Sequence, residues 1–396
     1  MVFLRTTIFS VLFLLLLLVN SCAQAAHEVR IPFVLDDNTQ LIQVFVNNSQ
    51  NPVYFIFDTG SQITGIDKEY AQQIGVQFDK KVRIEGVAGD SEALSSEQNT
   101  VKLNSQIVIE NEKLTGIDLG FRKKTFSGYD VKGIMGAVIL KRYSVEMDFD
   151  THEIILRPLG ANIPEKYQSS IATTHTGDFF PRIDLSIQIN NGDTINGNAY
   201  FDSGAQMGFI LNTRFDEQHH ILEKSGDCLQ RPSFGISQSG YNYVVRAKGM
   251  KIGNMNIPPF IMDIPTGAKG VGSEPNSLGL LGMEIIKRFN FVIDFSLNRI
   301  YYSPNGNSKK STWAPVSGVV IKENNGKMYI NAFAAPENPQ GLLVGDEIIS
   351  VNGKKHESAR QAQDIFFRAE PNEKLNVIIQ RDGSQIERTF IAEPML

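Results

Sequence analysis

The sequence predicts a mostly β protein made of two homologous lobes followed by a small α/β domain, and three observations predict it. Short apolar runs bounded by Gly, Pro, Asn and Asp recur at strand length as far as Pro304. An apolar strand running into an aspartate, a hydroxyl residue and a glycine occurs twice, as Phe55-Ile56-Phe57-Asp58-Thr59-Gly60-Ser61 and as Ala199-Tyr200-Phe201-Asp202-Ser203-Gly204-Ala205. A polar stretch without apolar periodicity, Ser303 to Lys310, then sets off a tail of small-domain size.

The duplication is the strongest of these signals. A single Asp-Ser/Thr-Gly triplet has roughly a one-in-five chance of arising by composition in a chain of this length. Two in matching contexts do not arise that way. Gly136 stands 78 residues after Asp58 and Gly282 stands 80 after Asp202, each behind an apolar pair. Lys141-Arg142-Tyr143 then matches Lys287-Arg288-Phe289, and Asp148-Phe149 matches Asp294-Phe295 at equal spacing. The chain therefore divides into a first lobe at 27–160, a second at 171–303, a linker at 304–312 and a domain at 313–396.

Composition bounds the rest. At 396 residues with 42% hydrophobic content and a formal net charge of −5, the chain is long enough for two or three domains. Its negative balance argues against nucleic acid or anionic lipid as partners. Residues 1–25 read as a signal peptide: Arg5, an apolar run from Ile8 to Val19, then small residues. Two cleavage patterns fit, Ala23-Gln24-Ala25 for ordinary processing and Val19-Asn20-Ser21-Cys22 for a lipobox that leaves Cys22 lipidated. Either predicts work outside the cytoplasm, in the periplasm or cell envelope, with Cys22 the one route to a membrane anchor. Cys228 would then be the remaining cysteine, so neither a disulfide scaffold nor a cysteine metal site is predicted.

In order, Val29, Ile31, Phe33 and Leu35 alternate on one strand, Asp36-Asp37-Asn38 turns, and Leu41 to Val46 returns. Asp67 to Ile74 reads as a short helix with Asp67 as N-cap and Gly75 as stop. Val82 to Asp90 reads as a hairpin with two glycines at its tip. Three strands follow (Thr100–Leu103, Ile107–Glu110, Leu114–Leu119). Gly133-Ile134-Met135-Gly136 opens a short helical stretch, and Tyr143–Phe149 and Glu153–Leu156 close the lobe. The second copy carries Asp202, a segment Phe234 to Gly240 in the hairpin position, strands around Val244 and Ile252, and Leu278 to Gly282. In the tail, a helix at Ala359–Arg368 and strands at Leu375–Gln380 and Gln385–Ile391 meet at Arg381-Asp382-Gly383.

With these residues in view, the chain resembles the pepsin-like and retropepsin-like aspartic proteases, and its tail, through Gly341 to Gly353, resembles PDZ domains in the strand order of bacterial proteases. The resemblance runs over residues 30–392. It implies a bilobed acid-protease fold of two β-barrel-like lobes, bacterial origin, and an aspartic endopeptidase using Asp58 and Asp202. Thr59, Gly60, Ser203 and Gly204 would support the catalytic loops, with Gly136 and Gly282 beneath them. Gly86, Val87, Ala88 and Gly89 in one lobe, and Gly235 and Ile236 in the other, would form flaps over a polypeptide substrate. Pepsins carry a flap tyrosine and Ile84 to Ser91 contain none, which is closer to a retropepsin dimer fused into one chain. In the PDZ-like domain Ser317, Gly318 and Val319 would receive a peptide C-terminus, Ser317 standing where relatives have an apolar residue.

The chemistry behind the assignment is general. Two carboxylates a few ångströms apart do not readily ionise together, so they share a proton. One then accepts a proton from water while the other donates to the scissile carbonyl, with no cofactor or metal. Asp148 and Asp294 read as structural, His219 and His220 as solvated helix-end residues, and Cys228 as unreactive. The rival reading is a catalytically silent envelope protein that binds peptides through the cleft or the PDZ domain.

Overall fold

The computed structural model describes residues 28–36, 38–86, 89–119, 129–174, 179–234, 239–266, 270–309, 319–333, 340–356, 358–369 and 372–393. Cys22, Val87, Ala88, Gly235, Ile236, Ser317 and Gly318 lie outside the described residues, as does the N-terminal leader segment. Among the described residues the fold is mostly β, and no helix is long and apolar enough to cross a membrane.

The first copy supplies β1 (Val29–Asp36), β2 (Thr39–Val46), β3 (Val53–Phe57), β4 (Thr64–Asp67), β5 (Lys80–Gly86), β6 (Gly89–Lys102), β7 (Val108–Ile117), β8 (Val131–Met135), β9 (Tyr143–Asp148) and β10 (Glu153–Pro158). The alternation read in β1 becomes burial: Val29, Ile31 and Phe33 lie inside while Arg30 and Pro32 face solvent. The second copy supplies β11 (Ser169–Ala172), β12 (Arg182–Ile189), β13 (Thr194–Phe201), β14 (Phe209–Leu211), β15 (Leu229–Phe234), β16 (Ser239–Ile252), β17 (Met255–Ile257), β18 (Phe260–Pro265), β19 (Gly279–Leu281), β20 (Phe289–Asp294) and β21 (Arg299–Pro304).

The repeat seen in sequence returns as topology. In the first copy the strand order β2-β3-β8-β4-β7-β6-β5 pairs β3 with β8 parallel, β8 with β4 antiparallel and β4 with β7 parallel. In the second, β12-β13-β19-β14-β18-β16-β15 repeats that order and those directions. The copies are also joined in one sheet, because β20 pairs antiparallel with β9 and β11 pairs with β21. One apolar core runs from Val29 through Tyr302 across both.

Local expectations fare unevenly. The helix Lys68–Gln73 is capped by Asp67, whose carboxylate accepts from the Tyr70 amide, and Gly75 stops it at φ 77°. Ile107–Glu110 and Leu114–Leu119 contribute to one strand, β7, whose kink at Asn111 (φ 55°) looks like a break in the sequence pattern. Gly133 to Met135 belong to β8, not to a helix: a central strand buried on both faces, between β3 and β4, has no alternation to betray it. Turns from Ala137 to Arg142 follow, with the Lys141 amide bonded to the Ala137 carbonyl. The start of the linker is packed, since buried Asn305 donates to the Lys287 carbonyl.

The tail forms a sheet of β22 (Val319–Asn324), β23 (Lys327–Phe333), β24 (Glu347–Val351), β25 (Lys374–Arg381) and β26 (Ser384–Ile391), in that order. The helix Ala359–Arg368 packs on it through Ala362 and Phe366, and a separate apolar cluster fills the space between. Asp382 (φ 49°) and Gly383 (φ 80°) make the two-residue turn between β25 and β26.

Candidate active site

Each triplet sits at the end of a central strand. β3 delivers Asp58 and β13 delivers Asp202, and both strands lie beside a parallel neighbour, β8 and β19. The Asp58 amide donates to the Met135 carbonyl at 3.0 Å, and the Asp202 amide to the Leu281 carbonyl at 2.9 Å. Phe57 and Phe201 before them are buried in the core, which fixes the strand ends from behind.

Four hydrogen bonds tie the turns together. The Thr59 amide donates to Ser203 Oγ at 2.9 Å, and the Ser203 amide donates to Thr59 Oγ1 at 3.0 Å. Thr59 Oγ1 donates to the Phe201 carbonyl at 2.8 Å, and Ser203 Oγ donates to the Phe57 carbonyl at 2.9 Å. Each hydroxyl is therefore donor and acceptor at once, and both residues are buried. Polar groups removed from water are stable only when paired, and these four are paired across the two copies.

This network brings the carboxyls together. A Cβ on Gly60 would stand 2.3 Å from Asp202 Cγ, and one on Gly204 would stand 2.2 Å from Asp58 Cγ. Glycine is required here by space. Each carboxyl thus lies against the other turn, and each accepts from its own: Asp58 Oδ1 from the Gly60 amide at 2.8 Å, Asp202 Oδ1 from the Gly204 amide at 2.8 Å and the Ala205 amide at 3.2 Å. Gly136 and Gly282 form the floor, where an added Cβ would meet the Ile63 carbonyl at 2.3 Å and the Met207 carbonyl at 2.1 Å.

Gly86 and Gly89 face each other at the closing end of the β5–β6 hairpin, and Phe234 pairs with Ser239 at the matching end of β15–β16. Val319 begins β22 in the tail, far in sequence from the acid pair. Sequence reading missed a second cross-copy link. Asn38 Nδ2 donates to the Gln206 carbonyl at 3.0 Å, Gln206 Nε2 donates to Thr39 Oγ1 at 2.7 Å, and Lys287 Nζ donates to Asn38 Oδ1 at 2.6 Å. Asn38 carried only a turn signal, and nothing in its neighbourhood named a partner so distant in sequence.

Asp148 and Asp294 lie on the paired strands β9 and β20. Burial opposes ionisation of Asp148, but hydrogen bonds from Lys166 and the Thr151 and Asp150 amides hold its carboxyl below the usual range. Asp294 accepts from the Ser296 amide and hydroxyl and from the Gly160 amide. His220 caps the helix Thr213–His219 in a left-handed conformation at the surface, and Cys228 is exposed. Among the described residues no group of His, Cys, Asp and Glu could hold a metal ion.

Comparison with known proteins adds three findings. No curated protein matches the chain. Among solved structures, an aspartic proteinase from Irpex lacteus is 14% identical, with a TM-score of 0.45 over 71% of this chain and 98% of that one. Residues 42–137, which run from β2 through the Asp58 turn to the residue after Gly136, match the aspartyl protease family model.

Proposed function

We propose that the chain is an exported, bilobed aspartic endopeptidase whose C-terminal PDZ domain binds or orients peptides, with Asp58 and Asp202 as the catalytic acids. The observation that carries this reading is the reciprocal Thr59–Ser203 network, which presses each carboxyl against the glycine of the opposite turn. The family match over residues 42–137 supports it independently.

The steps follow from the geometry. The two turns hold the acids at a common point, where they share one proton and bind a water between them. The ionised member takes a proton from that water as it attacks the peptide carbonyl. The protonated member donates to the carbonyl oxygen, and the resulting gem-diol collapses as the amide nitrogen is protonated. Because each acid accepts hydrogen bonds from its own turn, neither needs to reorient during the reaction, and preorganisation of this kind lowers the barrier. The hairpins β5–β6 and β15–β16 are the flaps that would cover substrate. A lipid anchor at Cys22, or free release after residue 25, fixes where the enzyme acts.

The test is cleavage of denatured casein between pH 4 and 7 by the mature chain and by Asp58→Asn and Asp202→Asn. Both variants are expected to keep the wild-type circular dichroism spectrum and lose turnover. Persistent cleavage by purified Asp58→Asn ends the assignment. Absence of cleavage by the wild type at every pH, with casein still bound, favours the silent peptide-binding protein instead.

A further inference from the structure

Among the described residues β22 is the edge strand of the C-terminal sheet, with β23 as its hydrogen-bonded neighbour on one side and the helix Ala359–Arg368 alongside it. An edge strand presents unpaired N–H and C=O groups, and these are the groups through which an extended peptide adds to a sheet. Here one donor and one acceptor of that edge are already used. Gln363 Oε1 accepts from the Ile321 amide at 2.7 Å, and Gln363 Nε2 donates to the Val319 carbonyl. The side-chain carboxamide has the same donor and acceptor as a peptide group, and it spans two residues of the strand as a neighbouring backbone would.

Its place on the helix is unusual. Gln363 follows Ala359 by four residues and precedes Phe366 by three, so it shares the face that packs on the sheet, where Ala362 and Phe366 are fully buried. A glutamine on that face costs free energy unless its amide is satisfied, and β22 satisfies both ends of it. Ser358, which caps the helix by accepting from the Gln361 amide, helps fix the helix that carries it.

We infer that Gln363 is a built-in occupant of the β22 edge, and that an extended peptide adds to this strand only when the Gln363 side chain leaves it. The inference rests on the proposed reading of the tail as a peptide-binding domain and gives that site its regulation. Resting affinity is low by construction, because docking must first break the two bonds to Val319 and Ile321.

The experiment uses the full chain carrying Asp58→Asn, so that probes survive any cleavage, alone and with Gln363→Ala or Gln363→Glu. The probes are fluorescein-labelled decapeptides ending in Val, Leu or Phe, each with a free or an amidated C-terminus, and fluorescence anisotropy reads binding. Gln363→Ala is expected to bind on the order of tenfold tighter than the parent, the equivalent of two modest hydrogen bonds. Gln363→Glu keeps the shape but has no donor for the Val319 carbonyl, so it is expected to gain affinity by a smaller factor. It carries the test if the alanine variant does not fold. The gain is expected for free and amidated probes alike, because the groups Gln363 covers belong to the strand backbone.

Equal affinity across the three chains, a gain confined to free-carboxylate probes, or no binding by any chain would each overturn the inference. Failure of the protease reading is seen elsewhere, in casein cleavage by the Asp58→Asn chain, and leaves this result unaffected.

Discussion

The two copies are alike where their chains cross and unlike two residues behind the acids. Thr59 and Ser203 make the same bonds in both directions, Gly60 and Gly204 meet the opposite carboxyl at nearly the same distance, and Gly136 and Gly282 underlie both turns. Two residues upstream the symmetry ends. Ile56 has no polar side-chain atom and lies in a cluster with Leu41, Ile117 and Ile134, flanked by Ile63, Ile84, Tyr54 and Tyr129. Its counterpart Tyr200 packs with Ile210 and Leu280, but its hydroxyl bonds to the Glu274 carboxylate and receives Arg182 Nη2 at 3.0 Å. The Arg182 guanidinium also lies 4.6 Å from the Tyr200 ring centre. Ile56 and Tyr200 hold the same position on the matching strands β3 and β13, two residues before the acids. The difference teaches which part of a duplicated motif is held to a common geometry. The crossing network has one solution and is kept, whereas the walls beside it differ in polarity.

The largest expected effect comes from breaking the symmetric part. Gly60→Ala and Gly204→Ala each place a methyl inside the opposite carboxyl, so the acids must separate. Turnover is expected to fall at least about 100-fold in either variant, as for misplacement of reacting groups by an ångström. Initial rates on casein fragments, with circular dichroism as the folding control, check this. Unchanged activity in Gly204→Ala would mean the carboxyls are not held at that point.

Next in size are Thr59→Val and Ser203→Ala. Each strands a buried amide and a buried carbonyl on the other copy, at about 2–4 kcal/mol by the usual cost of such groups. Because the two sites mirror each other, their losses in urea unfolding should agree within about 1 kcal/mol, and the double variant should cost less than their sum. A large inequality would break the equivalence of the copies.

Much of this was legible in the sequence. The duplication of Asp58 and Asp202, with Gly136 and Gly282 at matched spacing, needed only counting, and topology repeats it strand for strand. The helix Ala359–Arg368 was legible through the tail's resemblance to PDZ domains, and the structure adds the Ser358 cap at its start. What was hidden is non-local. The pairing of β20 with β9, which joins the copies in one sheet, depends on partners more than a hundred residues apart. The Gln206–Thr39 and Gln363–Val319 bonds belong to residues whose local context is ordinary. The break predicted within β7 failed because a single left-handed Asn111 mimics a turn without ending the strand.

A pair of matched aspartates gives a smaller and pH-dependent contrast. Asp148 is held ionised by Lys166, whereas Asp294 at the same repeat position is bonded to Ser296 and the Gly160 amide, with no lysine or arginine hydrogen-bonded to its carboxylate among the described residues. Since the folded-state pKa of Asp148 lies below its unfolded value, the pair's contribution is fully present above the unfolded pKa. It is lost as pH falls through the folded one. Asp148→Asn should therefore cost about 1.5–3 kcal/mol at pH 7, the range for a hydrogen bond to a charged group, with the difference from wild type shrinking below about pH 4.

The smallest effect has the opposite sign. Arg142 is exposed, but its counterpart Arg288 is 2% exposed, with Nε donating to the Glu284 carbonyl at 3.2 Å and Nη1 without a hydrogen-bond partner among the described residues. Burial lowers the pKa of Arg288 against the opposing pull of Glu284, so the folded state bears an incompletely solvated cation. Replacing a buried ion by an apolar side chain of similar volume is commonly neutral or stabilising. Arg288→Met is thus expected to raise the unfolding free energy by up to about 1 kcal/mol, while Arg142→Met changes it by less than about 0.5 kcal/mol, as surface substitutions do. A loss of 2 kcal/mol or more on Arg288→Met, read by urea unfolding at pH 7, would show that the guanidinium supports the strand pair β20–β21 through bonds that outweigh its burial.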